Sequence, residues 1–301
     1  MLIVSEMEPD LGITLLKEQA ASGKAFNHPS DNPTGTSEVL SMNAQIGRFQ
    51  QYATNAGDGL SRLQTASGAL NSVTEALRQV QTDVLSGANA AASDASDRHA
   101  LSADVLSIKQ TILGYAGTIH NKKPVFSGTY GTTPYPQGST SGISDPESAS
   151  YDPAAAYAYA GSTIPLSRVV APGRSVHASV TGDQVFGSGT SSVFALLDRI
   201  SQDLANRNTS ALNGSDLTQL HAALSTVTQA AENAGSLSAA ITQDQTNAND
   251  TMSSLQDQVG NITDANEDQV ATKLDLAEAS YQAALETAAK TIQPSLAQFL
   301  S

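Results

Sequence analysis

The residue types that most often carry chemistry are scattered in this chain. The five histidines lack the short spacing that ligands of one metal ion need: His28, His99, His120, His177 and His221. Cysteine is absent, which excludes disulfides, thiol nucleophiles and cysteine-based zinc sites together. Neither a G-x-S-x-G nucleophile motif nor an H-E-x-x-H zinc motif occurs. The sequence therefore predicts no enzyme, no metal site and no cofactor.

Two other groups of residues could bind ligands but have a simpler explanation. GSGTSS (187–192) places two glycines before a predicted helix, where an anion could bind. It lacks the lysine of a phosphate loop, so a linker is favoured. Several acidic residues of the C-terminal helical tract have no ligand-like spacing, and we expect them to be solvated: Asp257, Glu267, Asp268, Glu278 and Glu286.

Composition excludes several classes of partner. A formal charge of -14 argues against binding to nucleic acid or to an anionic membrane, which needs a basic surface. No apolar stretch reaches the roughly 18 residues that a membrane span requires, and the first residues do not resemble a cleavable secretory signal. Tryptophan is absent, and small side chains that suit thin helix seams are abundant. An elongated, helix-rich protein is therefore expected.

The sequence predicts two helices in the N-terminal part of the chain. Asn32 can cap a helix whose first residue is Pro33 and which extends to about Gly87. A second helix is predicted from about Ser96 to Ile119. The first helix carries apolar residues at steps of three, four or seven: Leu60, Leu63, Leu70, Val73, Leu77, Val80 and Val84. Both helices therefore need a partner face.

The middle and the C-terminal part differ sharply in composition. Residues 121–190 hold most of the prolines, and PVFSGTY (124–130), YAYAGSTIPLSRVVAPG (157–173) and RSVHASVTGDQVF (174–186) predict short strands. Helices are predicted from about Ser192, over 215–234, and from 236 towards 293, with interruptions at Gly235 and Gly260. This last tract keeps a heptad-like apolar stripe, which is typical of extended pairing between helices.

These patterns define a mainly α fold class. We expect an elongated helical bundle or coiled coil formed by N- and C-terminal helices, with a small β-rich insert in the middle. The expected domains are a terminal coiled-coil segment, 1–50 with 250–301, disordered in the monomer; a helical bundle, 51–120 with 191–249; and an outward-facing β-rich insert, 121–190.

Several segments resemble the flagellin superfamily. SGKAFNHPSDNPTG (22–35) is similar to its Ser-Gly-Lys segment with a following Pro-Ser-Asp box. The stretches at 55–89 and 96–118 resemble its two helices, the first through Asn-x-x-Asp-Gly and spaced leucines. NKKPVFSGTYGTTPY (121–135), VTGDQVFGSG (180–189) and the ending PSLAQFLS (294–301) are most like members that join the flagellar hook to the filament.

The resemblance implies a structural protein outside the cell, in the bacterial flagellum, exported by a type III system without a cleavable signal peptide. The implied partners are copies of the chain, a neighbouring hook-associated protein, flagellin and a cytoplasmic export chaperone, with no nucleic acid and no membrane insertion. A divergent filament flagellin and a non-flagellar secreted coiled-coil protein are alternatives. The residues expected to pack in assembly are Leu255, Val259, Ile262, Leu274, Tyr281 and Leu285.

Overall fold

The computed structural model describes residues 3–89, 94–136 and 145–297, with side chains from residue 12 to residue 287 within those ranges. Parts of the predicted turn near 87–97 and of the ending at 294–301 lie outside the described residues. The chain divides into two compact units: Met1–Gln50 with Asp250–Ser301, and Gln51–Asn249. We call the first the terminal unit and the second the central unit.

Helices make up most of the described chain, which confirms the mainly α fold class. The α-helices are α1 (Ile3–Ser22), α2 (Pro33–Ala88), α3 (Ala95–Ala116), α4 (Pro153–Ala156), α5 (Gly182–Phe186), α6 (Val193–Ala205), α7 (Thr209–Ala211), α8 (Leu217–Thr263) and α9 (Glu267–Ala297). A 3₁₀ turn covers Gly189–Ser191 and a π-helical turn covers Leu212–Asp216. Two antiparallel two-stranded sheets lie between α3 and α5: β1 (Ile119–His120) with β2 (Lys123–Pro124), and β3 (Ser167–Ala171) with β4 (Arg174–His177).

The start of α2 follows directly from its first residues. The Asn32 side-chain oxygen accepts a hydrogen bond from the backbone N–H of Gly35 at 2.9 Å. Pro33 occupies the first helical position, where its missing N–H has no consequence. The predicted cap and starting residue are therefore confirmed.

The core of the central unit forms along the predicted stripe of α2. From Leu63 to Val84 the predicted stripe residues are buried, and they pack with Val105 and Ile112 of α3 and with apolar residues of α6 and α8. Helix α3 packs directly against α6. These α2 positions recur at helical spacing, so one face of the helix stays in the core over several turns.

The segment between α3 and α6 contains fewer strands than the sequence predicts. Strands β3 and β4 lie within predicted strand segments, but PVFSGTY continues into turns after Pro124, and GDQVF is helix α5. A strand would point the neighbouring Val185 and Phe186 to opposite faces. The helical turn lets both side chains be buried, and Phe186 joins a cluster with Phe126, Tyr135 and Phe194.

The C-terminal helices break at a different place from the one predicted. Helix α8 continues through Gly235 and Gly260, and over the described residues from 217 to 297 the chain leaves helix only between Thr263 and Glu267. Gly235 lies between the buried side chains of Ala234 and Ile241, whose packing offsets the roughly 1 kcal/mol that a mid-helix glycine costs relative to alanine. The predicted interruptions at Gly235 and Gly260 are therefore wrong.

Candidate assembly interface

In the terminal unit, two loops are held side by side by a short antiparallel bridge. The N–H of Ala25 donates to the carbonyl of Thr263 at 2.7 Å, and the N–H of Ala265 donates to the carbonyl of Gly23 at 2.9 Å. The ammonium group of Lys24 lies 2.6 Å from a carboxylate oxygen of Asp264. We call this set of contacts the clasp. It fixes the end of α1 beside the start of α9.

The glycine of the clasp adopts a conformation that few other residues tolerate. Gly23 has φ +67°, in the left-handed region that follows many helices. Its N–H donates to the carbonyl of Gln19, which satisfies one of the last free carbonyls of α1. The chain can therefore leave α1 and turn directly into the bridge with Thr263.

Beyond the clasp, α1 and α9 pack against each other. Ile13 of α1 and Val270 of α9 are buried, and Lys17 forms an ion pair with Glu278 at 3.1 Å. Because the chain runs out of α1 at the clasp and into α9 from the same place, the two helices are antiparallel. Glu278 therefore has a partner, whereas the sequence predicted a simply solvated side chain; Asp257, Glu267, Asp268 and Glu286 are exposed.

The six residues predicted to pack in assembly lie on α8 and α9 of the terminal unit. Leu255 is buried, and Val259, Ile262 and Leu274 are half-buried. Tyr281 is 37% exposed and Leu285 is 53% exposed. The predicted stripe on α9 is thus half-buried at Leu274, near the start of the helix, and exposed at Tyr281 and Leu285, further along it.

Sequence reasoning missed a second apolar surface on these helices. Leu276 is 68% exposed and Leu15 is also exposed. Each stands two residues from a less exposed position, Leu274 or Ile13, which is about 200° around a helix. The pairs L-D-L (274–276) and I-T-L (13–15) in the sequence were the available signal. Helices α1 and α9 therefore carry apolar residues on faces that their mutual contact does not cover.

Local electrostatics support the clasp and the loop that follows it. The hydrogen bond from Lys24, helped by Thr263, holds the pKa of Asp264 below its ordinary value. In the loop before α2, backbone hydrogen bonds from His28 and Asn27 lower the pKa of Asp31. Both carboxylates are therefore charged at neutral pH, where these loop contacts form.

Three of the other candidates for chemistry form hydrogen bonds within the chain. Ser192 of GSGTSS caps α6 by accepting a hydrogen bond from the N–H of Ala195, in agreement with a linker before a helix. His120 bonds Thr65 and His221 bonds Gln81. Within residues 3–89, 94–136 and 145–297, no three His, Cys, Asp or Glu side chains are grouped as metal ligands. No helix in the described chain is long and apolar enough to cross a bilayer.

Comparison with known proteins shows which class of protein this chain resembles. Residues 10–130 match the family of the bacterial flagellin N-terminal helical region. The match covers less than half of the chain, and it confirms the resemblance to flagellins that the sequence shows. Polar flagellin A of Vibrio parahaemolyticus is 31% identical over 126 residues, which are 42% of this chain and 33% of that protein.

A particular member is similar over a longer range. Flagellar hook-associated protein 3 of Escherichia coli is 26% identical over 179 residues, 59% of this chain and 51% of its own length. The chain thus matches about half of this relative. The flagellar junction protein of Legionella pneumophila has the same fold, with a TM-score of 0.58 at 14% identity over 75% of this chain and 99% of that one.

Proposed function

We propose that this protein is a structural component of the bacterial flagellum that joins the hook to the filament as a self-assembling axial junction protein. The observation that carries the proposal is the similarity to hook-associated protein 3 over 59% of the chain, together with the fold of a flagellar junction protein. Flagellar structural proteins function outside the cell, so the site of action is extracellular.

The terminal unit supplies the assembly surface. Fully burying an exposed leucine or similar side chain stabilises an assembly by about 1.5–3 kcal/mol. Leu15, Leu276, Tyr281 and Leu285 offer such side chains on α1 and α9. Neighbouring copies cover these side chains and complete the coiled coil, with Leu255, Val259, Ile262 and Leu274 forming the rest of the packed stripe.

The same surface explains why assembly and ordering are coupled. Isolated helices and small helical pairs are marginal in water without a packed face. Residues 1–50 and 250–301 therefore order fully only among neighbours, while the central unit, with its own core, folds in the monomer. The insert, 121–190, faces outward, while its aromatic side chains pack into the core of that unit.

The partners follow from this role. They are copies of the chain, a neighbouring hook-associated protein on one side and flagellin on the other, with an export chaperone that holds the terminal segments before assembly. Nucleic acid and membrane are not partners.

A substitution on α9 tests the assembly step. Leu274→Asp should abolish incorporation into flagella while leaving the circular dichroism of the central unit unchanged, because a carboxylate is placed in the packed stripe. Ser236→Asp is the matched control, since it adds the same charge to an exposed helical position outside the terminal segments. Normal incorporation of the Leu274→Asp protein would contradict the proposed packing.

A filament flagellin is the second candidate function, favoured by the 31% identity to polar flagellin A. A deletion strain separates the two. Loss of a junction protein should leave hooks without filaments and release flagellin into the medium. If the chain is a flagellin, the deletion strain should lack it in the filament but should not release other flagellins into the medium.

A further inference from the structure

The tip of the β1–β2 hairpin is a basic point on an acidic protein. The chain has 15 basic and 29 acidic side chains. Lys122 and Lys123 are adjacent, exposed, and form no ion pair within the part of the chain that the structure describes. By contrast, Lys17, Lys24 and Lys109 are all paired with carboxylates.

The backbone holds this tip in an uncommon conformation. Asn121 and Lys122 have φ of 48° and 64°, the left-handed region in which asparagine is common and lysine is not. Two such residues form the type of tight turn that matches the twist of a hairpin. His120 bonds Thr65 of α2, so the hairpin is anchored to a long helix. Lys122 and Lys123 are therefore presented from a fixed turn.

A groove that contains two carboxylates lies along the N-terminal half of α3. It has a volume of about 740 Å³ and is lined by α3 residues, with Leu101 among the apolar ones, and by Ser86 of α2. Asp97 and Asp104 line it, and neither forms an ion pair among the described residues. We call it the acidic groove. A small neutral ligand would leave both carboxylates unmatched.

A third carboxyl, that of Asp83, interacts electrostatically with Asp104 and adds to the negative character of the acidic groove. Asp83 of α2 is only 4% exposed, and one of its oxygens has no hydrogen-bond partner among the described residues. Its pKa is raised, first by burial and then by the negative charge of Asp104. A cation that reaches Asp104 would relieve this repulsion.

The distance between Asp97 and Asp104 matches the reach of Lys122 and Lys123. Asp97 and Asp104 are seven residues apart, so they lie on one face of α3 about 10 Å apart. Two neighbouring lysines, each with a flexible four-carbon stem, can span that distance. One chain cannot bring its own tip to its own groove, because Asp104 and Asp97 lie about 18 Å and 28 Å along α3 from its last residue, Ala116.

We infer that the hairpin tip of one copy docks into the acidic groove of a second copy, with Lys122 and Lys123 meeting Asp97 and Asp104. The contact is heterologous, so it links copies head to tail and repeats from one copy to the next. It rests on the proposed function, because it names a contact by which copies of the chain assemble.

Charge reversal tests the contact in the full-length protein. The variants K122E/K123E and D97K/D104K should each self-associate about tenfold more weakly than the wild type in sedimentation experiments at low salt, because like charges then face each other. Mixing the two variants should restore association, since every contact between unlike copies regains opposite charges. Unchanged association of both variants, or failure of the mixture to recover, would overturn the inference.

Site-specific cross-linking provides a direct second readout, because the natural chain has no cysteine. K122C mixed with D104C should form a disulfide-linked dimer under mild oxidation. K122C mixed with E232C, an exposed acidic position on α8, should not. Equal or absent cross-linking in both mixtures contradicts the docking. If it is absent while the chain is found at the hook–filament boundary, only the docking is wrong; without that location the proposed function fails.

Discussion

Replacing the buried lysine of the central unit should destabilise that unit strongly. Lys109 of α3 is 2% exposed and Asp198 of α6 is fully buried, and their charged groups lie 2.6 Å apart. The other carboxylate oxygen of Asp198 accepts hydrogen bonds from Tyr157 at 2.5 Å and from Tyr151 at 3.1 Å. This network connects α3 and α6 to the segment around α4.

The magnitude follows from the burial of the carboxylate. In Lys109→Met the volume is kept, but Asp198 loses its counter-charge inside the core. Removing one partner of a buried pair costs about 3–5 kcal/mol, compared with a total stability of about 5–15 kcal/mol for a domain. We therefore expect the variant to lose a substantial fraction of the stability of the central unit at neutral pH.

The loss should depend on pH in a defined direction. Burial raises the pKa of Asp198 above its ordinary value, while Lys109 lowers it. Without Lys109 the folded-state pKa rises further. A carboxyl with a raised folded-state pKa favours the folded state when protonated, and this contribution is lost as pH rises through that pKa. The defect of the variant should therefore shrink as the pH is lowered.

Urea unfolding followed by circular dichroism measures both effects. The free energy of unfolding of Lys109→Met and of wild type should differ most at about pH 7.5 and least at about pH 5. Lys273→Met is the control, because Lys273 is exposed on α9, outside the central unit, and its substitution should have almost no effect on the stability of that unit. A loss below about 1 kcal/mol at neutral pH, or an equal loss at both pH values, would refute the reasoning.

Three further predictions concern single positions. Gly128→Ala should destabilise the central unit by about 1–3 kcal/mol, because Gly128 has φ +61° and an added Cβ would lie 2.2 Å from the carbonyl oxygen of Ser162. In thermal unfolding Gly131→Ala, which meets nothing within 4 Å, should be nearly neutral; equal effects would contradict this. Asn32→Ala should cost about 1 kcal/mol through loss of the cap, and hydrogen exchange should rise in the first turn of α2; unchanged protection there would contradict it. Because the folded-state pKa of Asp264 is lowered, its contribution to the clasp is present above the unfolded-state pKa and is lost as pH falls through the folded-state pKa. Amide protection at Ala25 and Ala265 should then decrease on acidification in wild type but much less in Asp264→Asn; equal decreases would rule out this role.

Local rules sufficed for the helices whose signals lie within a few residues. Asn32 before Pro33 marks the start of α2, and Leu63 to Val84 mark its buried face. The same rules failed at Gly235, because helix propensity describes an isolated helix and neglects the packing of Ala234 and Ile241. They failed again at GDQVF, where burial of two neighbouring side chains favours a helical turn.

Contacts between distant segments could not be predicted from one sequence. The buried pair of Lys109 and Asp198 joins residues 89 positions apart, and the clasp joins Lys24 to a residue 240 positions away. Nothing in local spacing indicates either. The apolar stripe of α9 was predictable from its period, whereas the exposure of Leu276 depends on which face α1 covers.

The central claim is that this chain forms the junction between hook and filament. Immunogold electron microscopy of flagella, with an antibody to the insert at 121–190, tests it most directly. The account predicts label confined to a short zone at the hook–filament boundary. Label along the whole filament would identify a flagellin instead, and absence of label from flagella would contradict the flagellar role.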